Sequence, residues 1–162
     1  MSDFVAQQVT RSHVIHVLAP VERAFPLFEP VGEKAWAHGW EPEMLYPASG
    51  VAQTGAVFTT QHADEPTKIW TIATYEREQA HVTYFNVLPH AYTSRIDVRC
   101  QPDGMEASSV SVVYTLTTLT PHGAEHVKRF TEERHFQAYI SSWETEIQYY
   151  LLHRHMLPHT EE

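Results

Sequence analysis

Between Tyr92 and Cys100 the chain alternates without a fault. Tyr92, Ser94, Ile96, Val98 and Cys100 share one face, and Thr93, Arg95, Asp97 and Arg99 share the other. Such a segment is a strand with one apolar and one wet side, so it needs other strands beside it and a core on one face only. "SVSVVYTLTTL" repeats the pattern after the turn "QPDGMEAS", with Val110, Val112, Tyr114 and Leu116 inward. "AHVTYFNVLP" comes before, across Pro89 and His90, and is itself preceded by "GAVFTTQH", the turn residues of "ADEPT" and "KIWTIATYE". With the short "EMLYP" and an early strand in "RSHVIHVLAP", carrying His13, Ile15 and Val17 on one face, the count is seven strands. They follow one another in mostly antiparallel succession, and helical patterns occur only at the two ends. The fold class is α+β.

The C-terminal part poses a phase problem. Ala124, Val127 and Phe130 form one apolar stripe, and Phe136, Ile140, Trp143, Ile147 and Leu151 form another. At about 100° per residue the stripes lie nearly opposite each other, so one straight helix cannot bury both. The sequence predicts a short helix from about Pro121, a break near Thr131 and a long terminal helix to about Leu152. Thr131 followed by Glu132 and Glu133 reads as an N-cap with acids in the first turn. After the first strand, Val21, Ala24, Phe25 and Phe28 stand at helical spacing, and Pro26 keeps that helix short. A second short helix is expected from about Val31 to His38, ended by Gly39. The first ten residues and "HRHMLPHTEE" read as frayed ends.

Composition serves mainly to exclude. A chain of 162 residues is expected to form a single domain, which at this size buries about 70% of its unfolded surface without staples. Eleven Lys and Arg against 20 Asp and Glu give a net charge of −9, which disfavours both nucleic acid and an anionic membrane surface as partners. No apolar run approaches the ~20 residues of a bilayer span, and "MSDFVAQQVT" lacks the basic and apolar regions of a secretory signal. Cys100 stands alone, so a reducing, cytoplasmic setting is expected. The twelve histidines read mostly as a surface set. His122 with His126, and Glu132 with His135, have helical spacing, but there is no HExxH, no paired ExxH and no cysteine cluster. No metal and no cofactor is expected.

One stretch holds unusual chemistry for a corner. "GEKAWAHGWEPEMLYP", Gly32 to Pro47, sets Trp36 and Trp40 on either side of Gly39. Large aromatics there either plug the end of a core or line the mouth of a pocket. Glu33 and Glu41 flank the corner and read as solvated carboxylates. His13 and His81 fall on strand faces that could point inward, and Tyr46, Tyr84, Tyr92 and Tyr114 offer hydroxyls for acid–base work. Four Trp, eight Tyr and seven Phe suit a pocket for an apolar ligand with one or two polar groups, and equally an ordinary filled core. Trp70 lies on a segment apolar on both faces, which leaves its orientation open.

The order of elements is one strand, two short helices, a six-stranded antiparallel run and a long terminal helix. In that order, with "HVLAPVERAF", "GEKAWAHGWEPE" and "LTTLTPHGAEHV…YISSWETEI" as local carriers, the chain resembles a bacterial member of the START-like, or SRPBCC, superfamily over about residues 12–152. That superfamily includes polyketide cyclases, the major birch pollen allergen and Hsp90 activator homologs. The resemblance implies the helix-grip fold, in which a curved sheet wraps around the C-terminal helix and leaves a cavity whose mouth lies near the two short helices. It further implies that a small hydrophobic or aromatic molecule binds there. Trp36, Trp40, Tyr46, Phe58 and Trp70 are candidate ligand-binding residues, together with Phe85, Tyr92, Tyr114, Ile140 and Trp143. Two alternatives stand beside this one: a polyketide cyclase- or dehydratase-like enzyme, and an interaction domain resembling the Hsp90 activator homologs. A homodimer stays open.

Overall fold

The computed structural model describes residues 3–159. In chain order its elements are β1 (Gln8–Val17), α1 (Val21–Ala24), two 3-10 turns (Phe25–Phe28 and Gly32–Ala35), β2 (Glu43–Tyr46), β3 (Val57–Thr60), β4 (Lys68–Glu76), β5 (His81–Leu88), β6 (Tyr92–Pro102), β7 (Ser108–Thr118), α2 (Pro121–Phe130) and α3 (Glu133–His153). The strands form one seven-stranded sheet in the order β1-β7-β6-β5-β4-β3-β2. All pairings are antiparallel. The alternation in β6 is realised as read: Tyr92, Ser94, Ile96, Val98 and Cys100 are buried, while Arg95 and Arg99 are exposed. This is the α+β helix-grip architecture, with α3 lying across the concave face.

The first strand joins the sheet by its last partner. β1 pairs with β7 along its whole length, from Gln8 opposite Thr117 to Val17 opposite Ser108. It therefore begins three residues earlier than the expected Arg11, and residues 8–10 are not frayed. Gln7 adds to the closure: its N–H donates to Thr118 Oγ1 and its carbonyl accepts from the Thr118 N–H, both at 2.9 Å. The free edge of β1 is covered by α3. Glu144 accepts the His16 N–H (2.6 Å), and Gln148 donates to the His16 carbonyl (3.3 Å). An unpaired strand edge is a liability, and a helix laid over it is one way to satisfy its polar groups.

The second short helix is smaller than expected, a single 3-10 turn. Gly32 explains why. A Cβ there would lie 1.8 Å from the Pro26 carbonyl oxygen, so the turn packs backbone against backbone. Trp36, with φ −132°, then leaves the helical region. At the other end of the chain the tail folds back, and the His159 ring stacks on His38 with centroids 3.9 Å apart. Met1, Ser2 and residues 160–162 lie outside the described residues.

The break in the C-terminal helical region falls where the stripes change phase, between α2 and α3. Val127, Phe136, Ile140 and Ile147 are all buried as a result. The capping differs from the reading of Thr131 as N-cap. The Thr131 hydroxyl instead donates back to the Val127 carbonyl (2.6 Å), closing α2, and Arg11 Nε donates to the Thr131 carbonyl (2.8 Å). Glu132 is the N-cap of α3, accepting the N–H groups of Arg134 (3.2 Å) and His135 (2.9 Å). A carboxylate is the stronger acceptor for a positive helix start, and Thr131 is left to satisfy an orphan carbonyl. Amide exchange should therefore be faster at residues 132–134 than at residues 140–147. Equal protection across the junction would show that the two helices open as one.

Candidate functional site

A cavity of about 430 Å³ lies between the concave sheet face, the 32–40 corner, α2 and α3. Strand pairing lays out its floor in rows. One row runs Trp70, Asn86, Ser94 and Leu116 across β4 to β7, with Phe58 of β3 beside Trp70 but behind the wall. The next runs Ile72, Tyr84, Ile96 and Tyr114. Trp36, Trp40, Trp70 and Trp143 all line the space, and the chain has only these four tryptophans. Their rings meet edge to face: Trp40 against Trp70 (5.4 Å between centroids), and Trp36 tilted on Trp143 (6.0 Å). Such geometry is favourable for π-systems and holds the walls stiff.

The two corner tryptophans do both things expected of them. Trp36 is buried and its indole N–H donates to the Leu27 carbonyl (2.8 Å); the Trp40 indole N–H donates to the Pro30 carbonyl (2.7 Å). Each ring thus ties the corner to the turn before it while its face borders the cavity. Gly39, at φ 75°, lets the chain turn between them.

Glu33, Lys68 and Asn86 are among the polar residues that line this aromatic space, with Glu65, His126 and Glu146 beside them. Glu33, on the 3-10 turn, is half-buried as a residue, but its carboxyl is turned into the cavity, and burial raises its pKa well above the carboxylate range. No hydrogen-bond partner for that carboxyl occurs among the described residues. Around it stand Tyr84, Tyr114 and Tyr139, whose hydroxyls are pushed upward chiefly by burial and further by the Glu33 charge. Tyr139 lines the cavity and shows 41% of its surface. The Tyr84 hydroxyl is already committed, donating to the Phe28 carbonyl (2.6 Å).

Lys68 opens β4 and enters from another side. Its ammonium donates to the Tyr92 hydroxyl (3.1 Å) and lies 5.3 Å from the centre of that ring. Burial lowers its pKa, an effect opposed by the nearby Glu65 carboxylate. The Tyr92 hydroxyl is pushed up to about 12, again mainly by burial. His126 stacks on Tyr92 at 4.8 Å, and burial, then Lys68, lower its pKa. Asn86, in the middle of the floor, is buried, and its Oδ1 is the one covered side-chain polar atom without a partner among the described residues.

Of the residues singled out from the sequence, Trp36, Trp40, Trp70, Tyr92, Tyr114 and Trp143 border the cavity. Phe58 and Ile140, both fully buried, lie behind its wall: Phe58 stacks on Trp70 at 5.4 Å, and Ile140 is in the core under α3. Tyr46 and Phe85 need correcting. Phe85 alternates with the inward Tyr84 and Asn86, so it faces out and is 39% exposed. Tyr46 follows a register shift at the end of β2 and is 60% exposed. His13 meets α3, 3.0 Å from Ser141 Oγ. His81 is on the outer face, held by Glu76 (2.8 Å) and Asp97 (2.6 Å). Glu41 is exposed as expected, whereas Glu33 is half-buried and lines the cavity in place of being a solvated carboxylate. Lys68, Asn86 and Tyr139 were not singled out. Strand parity from Trp70 gives Lys68 once the face of β4 is known.

No family model matches the sequence, and no curated protein matches it. Solved structures do. A point mutant of norcoclaurine synthase from Thalictrum flavum, in complex with a transition-state analogue, superposes with a TM-score of 0.66 at 11% identity, covering 94% of this chain and 99% of that one. The Zhui aromatase/cyclase from Streptomyces sp. R1128 gives 0.65 at 15% identity, over 93% of this chain and 100% of the other. The same synthase in complex with dopamine and hydroxybenzaldehyde gives 0.61 at 11% identity, over 97% and 91%. At such identities the likeness is one of fold alone, and that fold is the α+β helix-grip.

Proposed function

We propose that this protein binds a small aromatic or hydrophobic molecule in the cavity between sheet and α3. The observation that carries the reading is that every tryptophan of the chain borders one cavity. About 430 Å³ falls within the roughly 300–1,000 Å³ usual for small-molecule sites. The synthase of like fold is solved with dopamine and hydroxybenzaldehyde, and another protein of like fold is named an aromatase/cyclase, which supports the ligand class without fixing it. An open cavity weighs against the interaction-domain reading, which calls for a filled core. A cytoplasmic setting goes with the buried, lone Cys100, whose thiol burial pushes up to about 12.

Intrinsic fluorescence tests this directly. A naphthalene dye should quench the tryptophans saturably at one equivalent, and Ser94→Phe, which fills the floor, should abolish the effect while circular dichroism stays unchanged. A flat titration with folded wild type would refute the reading. The second reading, a cyclase- or dehydratase-type enzyme, is favoured by one observation: an unpartnered carboxyl held at raised pKa inside the cavity, the environment that acid–base catalysis requires. Accelerated hydrogen exchange of 2-tetralone α-carbons in D₂O, lost in Glu33→Gln, would support it; exchange at the uncatalysed rate would count against it.

A further inference from the structure

The cavity is not evenly polar, and the arrangement of its polar groups says something about what enters it. Glu33 lines the cavity with a carboxyl that has no hydrogen-bond partner among the described residues. A carboxylic acid kept neutral in an apolar site is a hydrogen-bond donor in search of an acceptor. Tyr84 cannot be that acceptor's rival, because its proton is spent on the Phe28 carbonyl. Elsewhere in the cavity wall stands the opposite charge. Lys68 makes no ion pair among the described residues; its hydrogen bond goes to Tyr92, and Glu65, which lines the same cavity, acts on it by charge alone. Its other ring neighbour is Trp70, whose centre lies 5.8 Å from the ammonium, and His126, stacked on Tyr92, has its pKa lowered by burial and by Lys68. Asn86 lies on the floor with an unanswered amide oxygen.

Resting on the ligand reading above, we infer that the natural ligand is an anionic aromatic molecule: a planar ring system with an acidic group seated at Lys68 and Tyr92 and a carbonyl or other acceptor reaching Glu33. The remaining partner, Asn86, meets a ring substituent between them. The preference for an anion runs against the whole molecule, whose net charge is −9. It therefore has to come from Lys68 itself, and this makes it testable by one substitution.

The probes are naphthalene, 2-naphthoate, 2-acetylnaphthalene and 2-naphthylmethylamine, measured by titration calorimetry at pH 7. Wild type should bind 2-naphthoate and 2-acetylnaphthalene each about tenfold more tightly than naphthalene, the gain of one good hydrogen bond to a charged or buried group. Lys68→Met should erase the gain for 2-naphthoate and leave 2-acetylnaphthalene alone. Glu33→Leu should erase the gain for 2-acetylnaphthalene, while Glu33→Gln, which still donates, should keep it. The inference is overturned if 2-naphthoate binds no better than naphthalene, if Lys68→Met leaves its affinity unchanged, or if 2-naphthylmethylamine binds most tightly of all. If no probe binds, the ligand reading itself falls, and this inference with it.

Discussion

Gly123→Ala is expected to lower the stability of the protein by at least ~3 kcal/mol in urea denaturation, the upper end of what overpacking costs. The usual effect of this substitution has the other sign, since alanine in a helix gains about 1 kcal/mol over glycine. Here the clash wins. A Cβ on Gly123 would lie 1.8 Å from the Ala91 carbonyl oxygen and 2.4 Å from its carbon, both backbone atoms that no rotamer change can move. That carbonyl is itself in use, accepting the Leu119 N–H at 2.8 Å. The helix start is stitched to the same turn by Thr120, whose hydroxyl donates to the His90 carbonyl (2.6 Å) and caps Gly123 (3.1 Å). Relief would require α2 to lift off the sheet, taking His126 and Phe130 from the cavity wall. A variant as stable as wild type would mean that α2 does not rest on the β5–β6 turn.

His81→Leu should be the second costly change, at about 2 kcal/mol, the scale of a hydrogen bond to a charged group. His81 is 5% exposed and bridges Glu76 and Asp97, while Thr83 donates to the same Asp97 oxygen at 2.7 Å. Leucine would leave the half-exposed Glu76 to water, but it would take from Asp97, whose side chain is only 24% exposed, its shortest hydrogen bond and leave it Thr83 and Arg99. Burial alone would raise the Asp97 pKa; the hydrogen bonds from His81 and Thr83 and the charges of His81 and Arg99 hold it below the usual value. A depressed carboxylate contributes stability above its unfolded pKa of about 3.9, and that contribution is lost as pH falls through the lower folded value. The gap between wild type and His81→Leu should accordingly narrow as pH falls from ~5 toward ~3. A gap that stays constant over that range would assign the loss to packing instead of to the Asp97 carboxylate.

The parts of this structure that periodicity governs were readable in advance. Alternation in β6 and β7 set the inward faces, and the change of stripe between Phe130 and Phe136 placed the break between α2 and α3. Phe85 shows the limit of a residue-type argument, since aromatic character suggested an inward position that parity with Tyr84 denied. Glu33 shows a deeper limit. Its direction is set by a four-residue 3-10 turn packed on the Pro26 carbonyl, and no repeating pattern in the sequence reports the aim of one residue in so short a turn. Lys68 lies between the two cases. Its face follows from that of Trp70, but β4 is apolar on both sides and carries a register shift between Ile72 and Thr74, so the pattern alone does not choose.

The pairing of β1 with β7 also decides when during synthesis the protein can become itself. A growing chain emerges N-terminus first, and β1 then waits unpaired while about a hundred residues are added, because Gln8 needs Thr117 and Val17 needs Ser108. The strands from β3 to β7 can join as successive neighbours in the meantime, since each contacts the one made just before it. The slow, long-range closure comes last, and α3, which covers the edge of β1 through Glu144 and Gln148, can settle only after it. Roof, corner and floor of the cavity therefore come together in a single late event. A nascent chain shorter than β7 has no partner for its first strand and no pocket to fill, so a ligand can meet only the finished protein.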